Sequence, residues 1–170
     1  MYAYDVNGDG LNDVITSVDA HGWGLSWFEQ KRNGDEITFH EHLIMSKQEE
    51  NTDNPYGVQF SQLHAVELAD IDGDGLKDIV TGKTYRAHDF ADPGARQDPV
   101  VYYFRLTRHD GQVEYIPHQI DDQAGIGRQL VSEDLNGDGL LDLVVGNKNG
   151  AFVFTQKIRK VDQEEWEKAQ

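Results

Sequence analysis

The chain contains no cysteine, which rules out disulfides and thiolate-held metals. Basic residues are scarce. Fifteen Lys and Arg stand against 31 Asp and Glu, for a formal net charge of −16. Nucleic acids and anionic membrane surfaces both call for a basic face, so neither is an expected partner. No apolar run approaches the roughly 18 residues of a membrane span, so no membrane insertion is expected. No signal peptide stands at the start, where Met1-Tyr2-Ala3-Tyr4 leads straight into the first motif. An export signal for this protein is expected upstream. Catalytic signatures are missing too: there is no G-x-S-x-G, no phosphate-binding Gly loop and no HExxH.

The acids that are present are not spread evenly. Ten of the 31 fall in three copies of one motif, D-x-[DN]-G-D-G-L-x-D. The copies are Asp5–Asp13, Asp70–Asp78 and Asp134–Asp142, with starts 65 and 64 residues apart. A period of this length marks a repeat architecture. Each copy precedes a run rich in branched residues: Val14–Val18, Ile79–Gly82 and Leu143–Gly146. An aromatic strand follows each: Leu25–Phe28, Val101–Phe104 and Ala151–Phe154. In the third copy Asn149-Gly150 reads as a hairpin turn. The first two copies add a third strand, Ile37–Ile44 and Val113–Ile120. A further strand leads into each later loop, Ala65–Ala69 and Leu130–Glu133. The expected fold is all-β, with four short antiparallel strands per unit and about two and a half units over residues 1–156. Residues 157–170 read as a charged tail or short helix.

Oxygen-bearing side chains at motif positions 1, 3, 5 and 9 fit calcium, which takes six to eight oxygen ligands in loose geometry. Glycines at positions 4 and 6 permit the tight backbone turns. The Leu at position 7 offers its carbonyl and anchors its side chain. The expected ligands are Asp5, Asn7, Asp9, Leu11 and Asp13 in the first loop. They are Asp70, Asp72, Asp74, Leu76 and Asp78 in the second, and Asp134, Asn136, Asp138, Leu140 and Asp142 in the third. Three Ca2+ per chain follow. An empty loop is costly, because like charges about 4 Å apart repel by roughly 1 to 4 kcal/mol per pair. An all-oxygen cage favours Ca2+ over Mg2+, and no His lies inside a loop to recruit zinc or copper. The middle loop carries four carboxylates against three in the others and is expected to bind tightest. An EF-hand is excluded. Its position-12 Glu is replaced by Thr16, Thr81 and Val145, and strand rather than helix follows.

These residues resemble FG-GAP/VCBS-type repeats, the calcium-loop blades of β-propellers, over nearly the whole chain through about Gln156. The resemblance implies that each loop joins the first two strands of a four-stranded blade. The stretch His21-Gly22-Trp23-Gly24-Leu25, and Gly82-Lys83 with its insertion from about Thr84 to Pro99, also resemble the C-terminal part of large bacterial propeller proteins. Rings need about four to eight blades. This chain therefore either belongs to a longer propeller or shares a ring with copies of itself. Three copies at about two and a third blades each would make seven. The implied role is structural or adhesion-like, with a glycan or protein ligand, in an extracellular or periplasmic setting. The competing expectation is a polysaccharide-acting lyase or hydrolase. His21, His64 and His88 are its candidate residues; Trp23, Tyr85, Arg86 and His88 read either as a face that contacts a sugar or peptide or as a solvated loop with a core-packing Trp. His42 and His118 occupy equivalent repeat positions and read as structural.

Overall fold

The computed structural model describes residues 1–50 and 54–163. The branched and aromatic runs form strands, and the Gly-rich motifs form the turns between them. The strands are β1 (Tyr2–Tyr4), β2 (Asp13–Ser17), β3 (Leu25–Asn33), β4 (Glu36–Met45), β5 (Val66–Ala69), β6 (Asp78–Gly82), β7 (Val101–His109), β8 (Gln112–Asp121), β9 (Leu130–Glu133), β10 (Asp142–Asn147) and β11 (Gly150–Phe154). A short 3-10 turn at Ala87–Phe90 interrupts the insertion between β6 and β7.

Three antiparallel sheets result, in the orders β1-β2-β3-β4, β5-β6-β7-β8 and β9-β10-β11. The motif loops join the first two strands of each sheet. Among the described residues these are two complete four-stranded blades and a third of three strands, and they do not close into a barrel. Two boundaries differ from the sequence reading. Tyr2–Tyr4 forms β1 and completes the first blade. In the third blade Asn147 pairs with Gly150, so Lys148 and Asn149 form the turn and Gly150 already belongs to β11. The β7–β8 hairpin has Asp110 at φ 51° and Gly111 at φ 78°, the paired positive values that a tight hairpin of matching twist requires. The tail helix expected near the C-terminus falls mainly on residues 164–170, outside the described residues. Residues 157–162 have no regular structure.

Successive side chains face opposite sides of a sheet, so a strand between two blades is buried on both faces. One core fills the space between the first and second blades, with Ile15, Leu25, Trp27, Phe60, Ile79, Phe104 and Leu106. A second lies between the second and third, with Val80, Val101, Ile126, Leu130, Leu143 and Val145. β6 carries no exposed residue, since both of its faces meet a neighbouring blade. The first strands of the second and third blades lie side by side. The Ser132 N–H on β9 donates to Glu67 Oε1 on β5 at 2.9 Å. No helix among the described residues is long and apolar enough to cross a membrane.

Candidate metal centres

The three acidic loops share one backbone curl. In the first, Asp5 accepts from the N–H groups of Gly8, Asp9 and Gly10 at 2.7 to 3.1 Å. In the third, Asp134 accepts from Gly137, Asp138 and Gly139 at 2.7 to 3.2 Å. The Asp at position 5 accepts from the position-7 N–H in every copy. These bonds are Leu11 to Asp9, Leu76 to Asp74 and Leu140 to Asp138, at 2.8 to 2.9 Å. The position-6 glycines sit at φ 87°, 90° and 84°, a region that side-chain-bearing residues rarely enter. Leu11, Leu76 and Leu140 are half-buried anchors.

The ninth-position Asp does something the motif alone does not announce. Asp13, Asp78 and Asp142 are fully buried at the start of the second strand of each blade. One oxygen of each accepts from motif position 2 (Val6, Ile71, Leu135) at 2.9 to 3.2 Å. The other accepts from the third strand or the residues just after it (Gln30, Leu106, Gln156) at 2.8 to 3.0 Å. Each Asp thus stitches its loop to its blade. The following blade braces the same loop from outside. Arg108 on β7 donates through Nε to the Val6 carbonyl at 2.7 Å and also reaches the Asp5 carbonyl. Gln156, just past β11, donates to the Ile71 carbonyl at 2.8 Å.

The middle loop is the least satisfied. Asp70, Asp72 and Asp78 bring a carboxylate oxygen each within 4.8 Å of one another. Asp70 Oδ1 is buried and has no hydrogen-bond partner. Burial pushes the Asp78 carboxyl up to about 6, against the backbone hydrogen bonds from Leu106 and Ile71. Desolvation also raises Asp13. A nearby cation would offset these costs, so the donor set fits an oxygen-seeking metal. One competing charge is already in place: Arg105 Nε lies 2.7 Å from Asp72 Oδ2, a charge contact without hydrogen-bond alignment. In the third loop, the N–H groups of Gly139, Gly137, Asp138 and Asn136 hold Asp134 below the usual carboxylate range.

The insertion after β6 builds a different cluster. His21, His88 and Asp92 come together from two segments far apart in the chain. His88 Nδ1 lies 2.8 Å from Asp92 Oδ2, His21 Nδ1 lies 3.4 Å from the same oxygen, and the two Nδ1 atoms are 3.1 Å apart. His64 packs edge-on against His21 with ring centroids 4.7 Å apart, and burial lowers its pKa. His64 and His88 also line a groove of about 310 Å³ with Tyr85, Arg128 and Lys148. Trp23 does not face a ligand: it is buried, and a side chain at Gly94 would strike its ring. Arg86 is exposed beside Phe90. His42 and His118 stack on the cross-strand partners Trp27 and Tyr103, at 4.2 and 4.7 Å. Their equivalence in the repeat is therefore a packing equivalence. His42 additionally joins Glu29 and His40 in a smaller cluster.

Blades of four antiparallel strands, each opened by an Asp-Gly loop, define a propeller-like repeat protein. The FG-GAP-like repeat model matches residues 5–81 and the FG-GAP repeat model matches residues 126–156. The chain belongs to the FG-GAP repeat proteins. No curated protein and no solved structure matches it.

Proposed function

We propose that this chain is a calcium-loaded segment of a β-propeller that serves as a structural or ligand-binding module. One observation carries the metal: the unpartnered buried oxygen of Asp70, facing two further carboxylates in a loop whose backbone is already curled. Asp5, Asn7, Asp9, the Leu11 carbonyl and Asp13 would hold one Ca2+, and the matching residues of the other loops would hold two more. Bound calcium would neutralise charge that now sits uncompensated, and would stabilise the folded state by mass action. FG-GAP repeats typically occur in extracellular or periplasmic proteins, where calcium is abundant. That setting suits a module that binds a glycan or protein.

The segment exposes apolar surface at both ends. Val131, Val144 and Val153 stand in cross-strand register on the outer face of the third blade, with Val131 50% and Val153 57% exposed. On the first blade Val14 pairs with Phe28, and Leu43, 40% exposed, sits further along β4 opposite Ser26. Two unlike apolar faces on one chain favour head-to-tail association, and a closed ring is the arrangement that leaves neither exposed. With eleven strands per chain, three copies would supply 33 strands, close to the 32 of an eight-bladed ring, the upper end of the usual range.

Native mass spectrometry in calcium buffer, repeated after chelation, tests both points. Three calcium ions per chain support the metal assignment, and failure to take up calcium overturns it. A closed oligomer supports the shared ring, and a monomer overturns it. The second reading is a polysaccharide-acting enzyme, favoured by the His21–His88–Asp92 cluster beside a groove. Turnover of a polysaccharide that is lost in His21→Ala, with calcium uptake intact, would establish it. Saturable binding without turnover favours the module.

A further inference from the structure

We infer that His21 Nδ1, His88 Nδ1 and Asp92 Oδ2 form a binding site for a divalent transition metal of the zinc class, separate from the three acidic loops. The three atoms make a triangle with edges of 2.8, 3.1 and 3.4 Å. A tetrahedral zinc with ligand bonds of about 2.0 to 2.2 Å places its ligand atoms about 3.3 Å apart. Hydrogens on both imidazoles can bridge the two edges to Asp92 but leave two donors facing each other across the 3.1 Å nitrogen–nitrogen edge. A cation near its centre meets all three atoms. Two imidazole nitrogens also favour zinc-class ions over calcium, which seeks oxygen.

The surroundings hold these atoms in place. Asp92 has only 15% of its side chain exposed and accepts from Gln62 Nε2 at 2.9 Å. Gln62 is fully buried, and its Oε1 accepts from Lys83 Nζ, which fixes the amide with its NH2 group toward Asp92. Lys83 is itself 1% exposed and also donates to Ser61 Oγ at 3.2 Å. This Lys83–Gln62–Asp92 chain is the kind of outer support that orients metal-ligating carboxylates.

The backbone is strained where the ligands are presented. Arg86, His88, Asp89 and Phe90 all have φ between 44° and 66°, and Gln62 has φ 64°. Each left-handed residue of this kind costs on the order of 1 to 2 kcal/mol. The turn aims His88 and Asp92 at His21, which comes from the segment after β2. The backbone joins the three segments: the Gln62 N–H donates to the Gly22 carbonyl at 2.8 Å and the Thr84 N–H to the Gln62 carbonyl at 3.0 Å. His21 and His88 keep about half of their side-chain surface open, so water or an added ligand can fill a fourth position. The buried, unpartnered Nε2 of His64 lies in the adjoining ring cluster.

The experiment is titration of the full chain with ZnCl2 under millimolar CaCl2, followed by calorimetry and by metal analysis after desalting. Calcium in excess keeps the acidic loops from taking zinc. The expected result is one zinc per chain, with affinity reduced at least tenfold in His21→Gln and in Asp92→Asn, while calcium stoichiometry and circular dichroism stay unchanged. His21→Gln is chosen because His21 lies outside the strained turn. Cobalt substitution gives a second readout, an intense visible band of tetrahedral type that is absent from both variants. Zinc uptake that survives these substitutions but is lost in His40→Ala/His42→Ala overturns the assignment in favour of the Glu29 cluster. Failure to take up zinc at micromolar concentration overturns it outright.

Discussion

The most telling residue is the buried Asp at the end of each loop. Asp78 accepts one backbone N–H on each oxygen. Asn in its place offers a single acceptor and turns an NH2 group toward a buried donor. Asp78→Asn is expected to cost about 1 to 3 kcal/mol of stability even in chelator, measured by denaturant unfolding. A residue that served only the metal would show no loss without calcium. Arg105 makes the opposite test. It places a fixed positive charge against Asp72, so Arg105→Gln should tighten calcium binding at the middle loop, by a factor of about five for roughly 1 kcal/mol of relieved competition. Calorimetry that shows equal or weaker binding would argue against it. His118 governs a pH response. Burial against Tyr103 lowers its pKa, with Arg105 adding to the shift. The unfolded chain therefore binds this proton more readily than the folded one, and the contribution of His118 to stability falls as pH drops below about 6.5, while the raised Asp78 works in the opposite direction. His118→Phe keeps the stack and should flatten that part of the stability–pH curve.

At the scale of strands and loops, the sequence was legible where the local signal was strong. The motif spacing located the three loops, the resemblance to the repeat family put each between the first two strands of its sheet, and the branched runs placed β2, β6 and β10 within a residue or so. β1 was harder to see because Tyr2-Ala3-Tyr4 is short. Its only signal is position, since it stands where Val66–Ala69 and Leu130–Glu133 stand before their own loops. The second function of the ninth-position Asp was hidden too, because its backbone donors come from strands far along the chain. The His21–His88–Asp92 cluster joins residues up to 71 positions apart, and no spacing rule brings them together. Arg108 belongs to this class of long-range partners. Arg108→Ala removes the brace on the Val6 and Asp5 carbonyls. The expected cost is about 1 to 2 kcal/mol, with calcium affinity at the first loop reduced and the other two loops unaffected. Equal weakening of all three loops would mean a general loss of fold rather than a local brace.

Across the whole molecule, two cores lie between three blades, and each blade contributes one face to each core it meets. Such an array is stabilised through its neighbours, so the terminal blades are the weakest units. Val153→Lys on the open face of the third blade should leave the isolated segment folded. It should block any assembly through that face, which sedimentation analysis would show as a shift to monomer. Unchanged assembly would place the contact elsewhere.

The braces also give the array a direction. Arg108 of the second blade supports the first loop, and Gln156 of the third supports the second. In each case support passes backward, from a blade to the one before it. Among the described residues, no such brace reaches the third loop. Its grip on an ion would thus report whether a successor has docked, and the order in which the three loops fill would record how far the ring has grown.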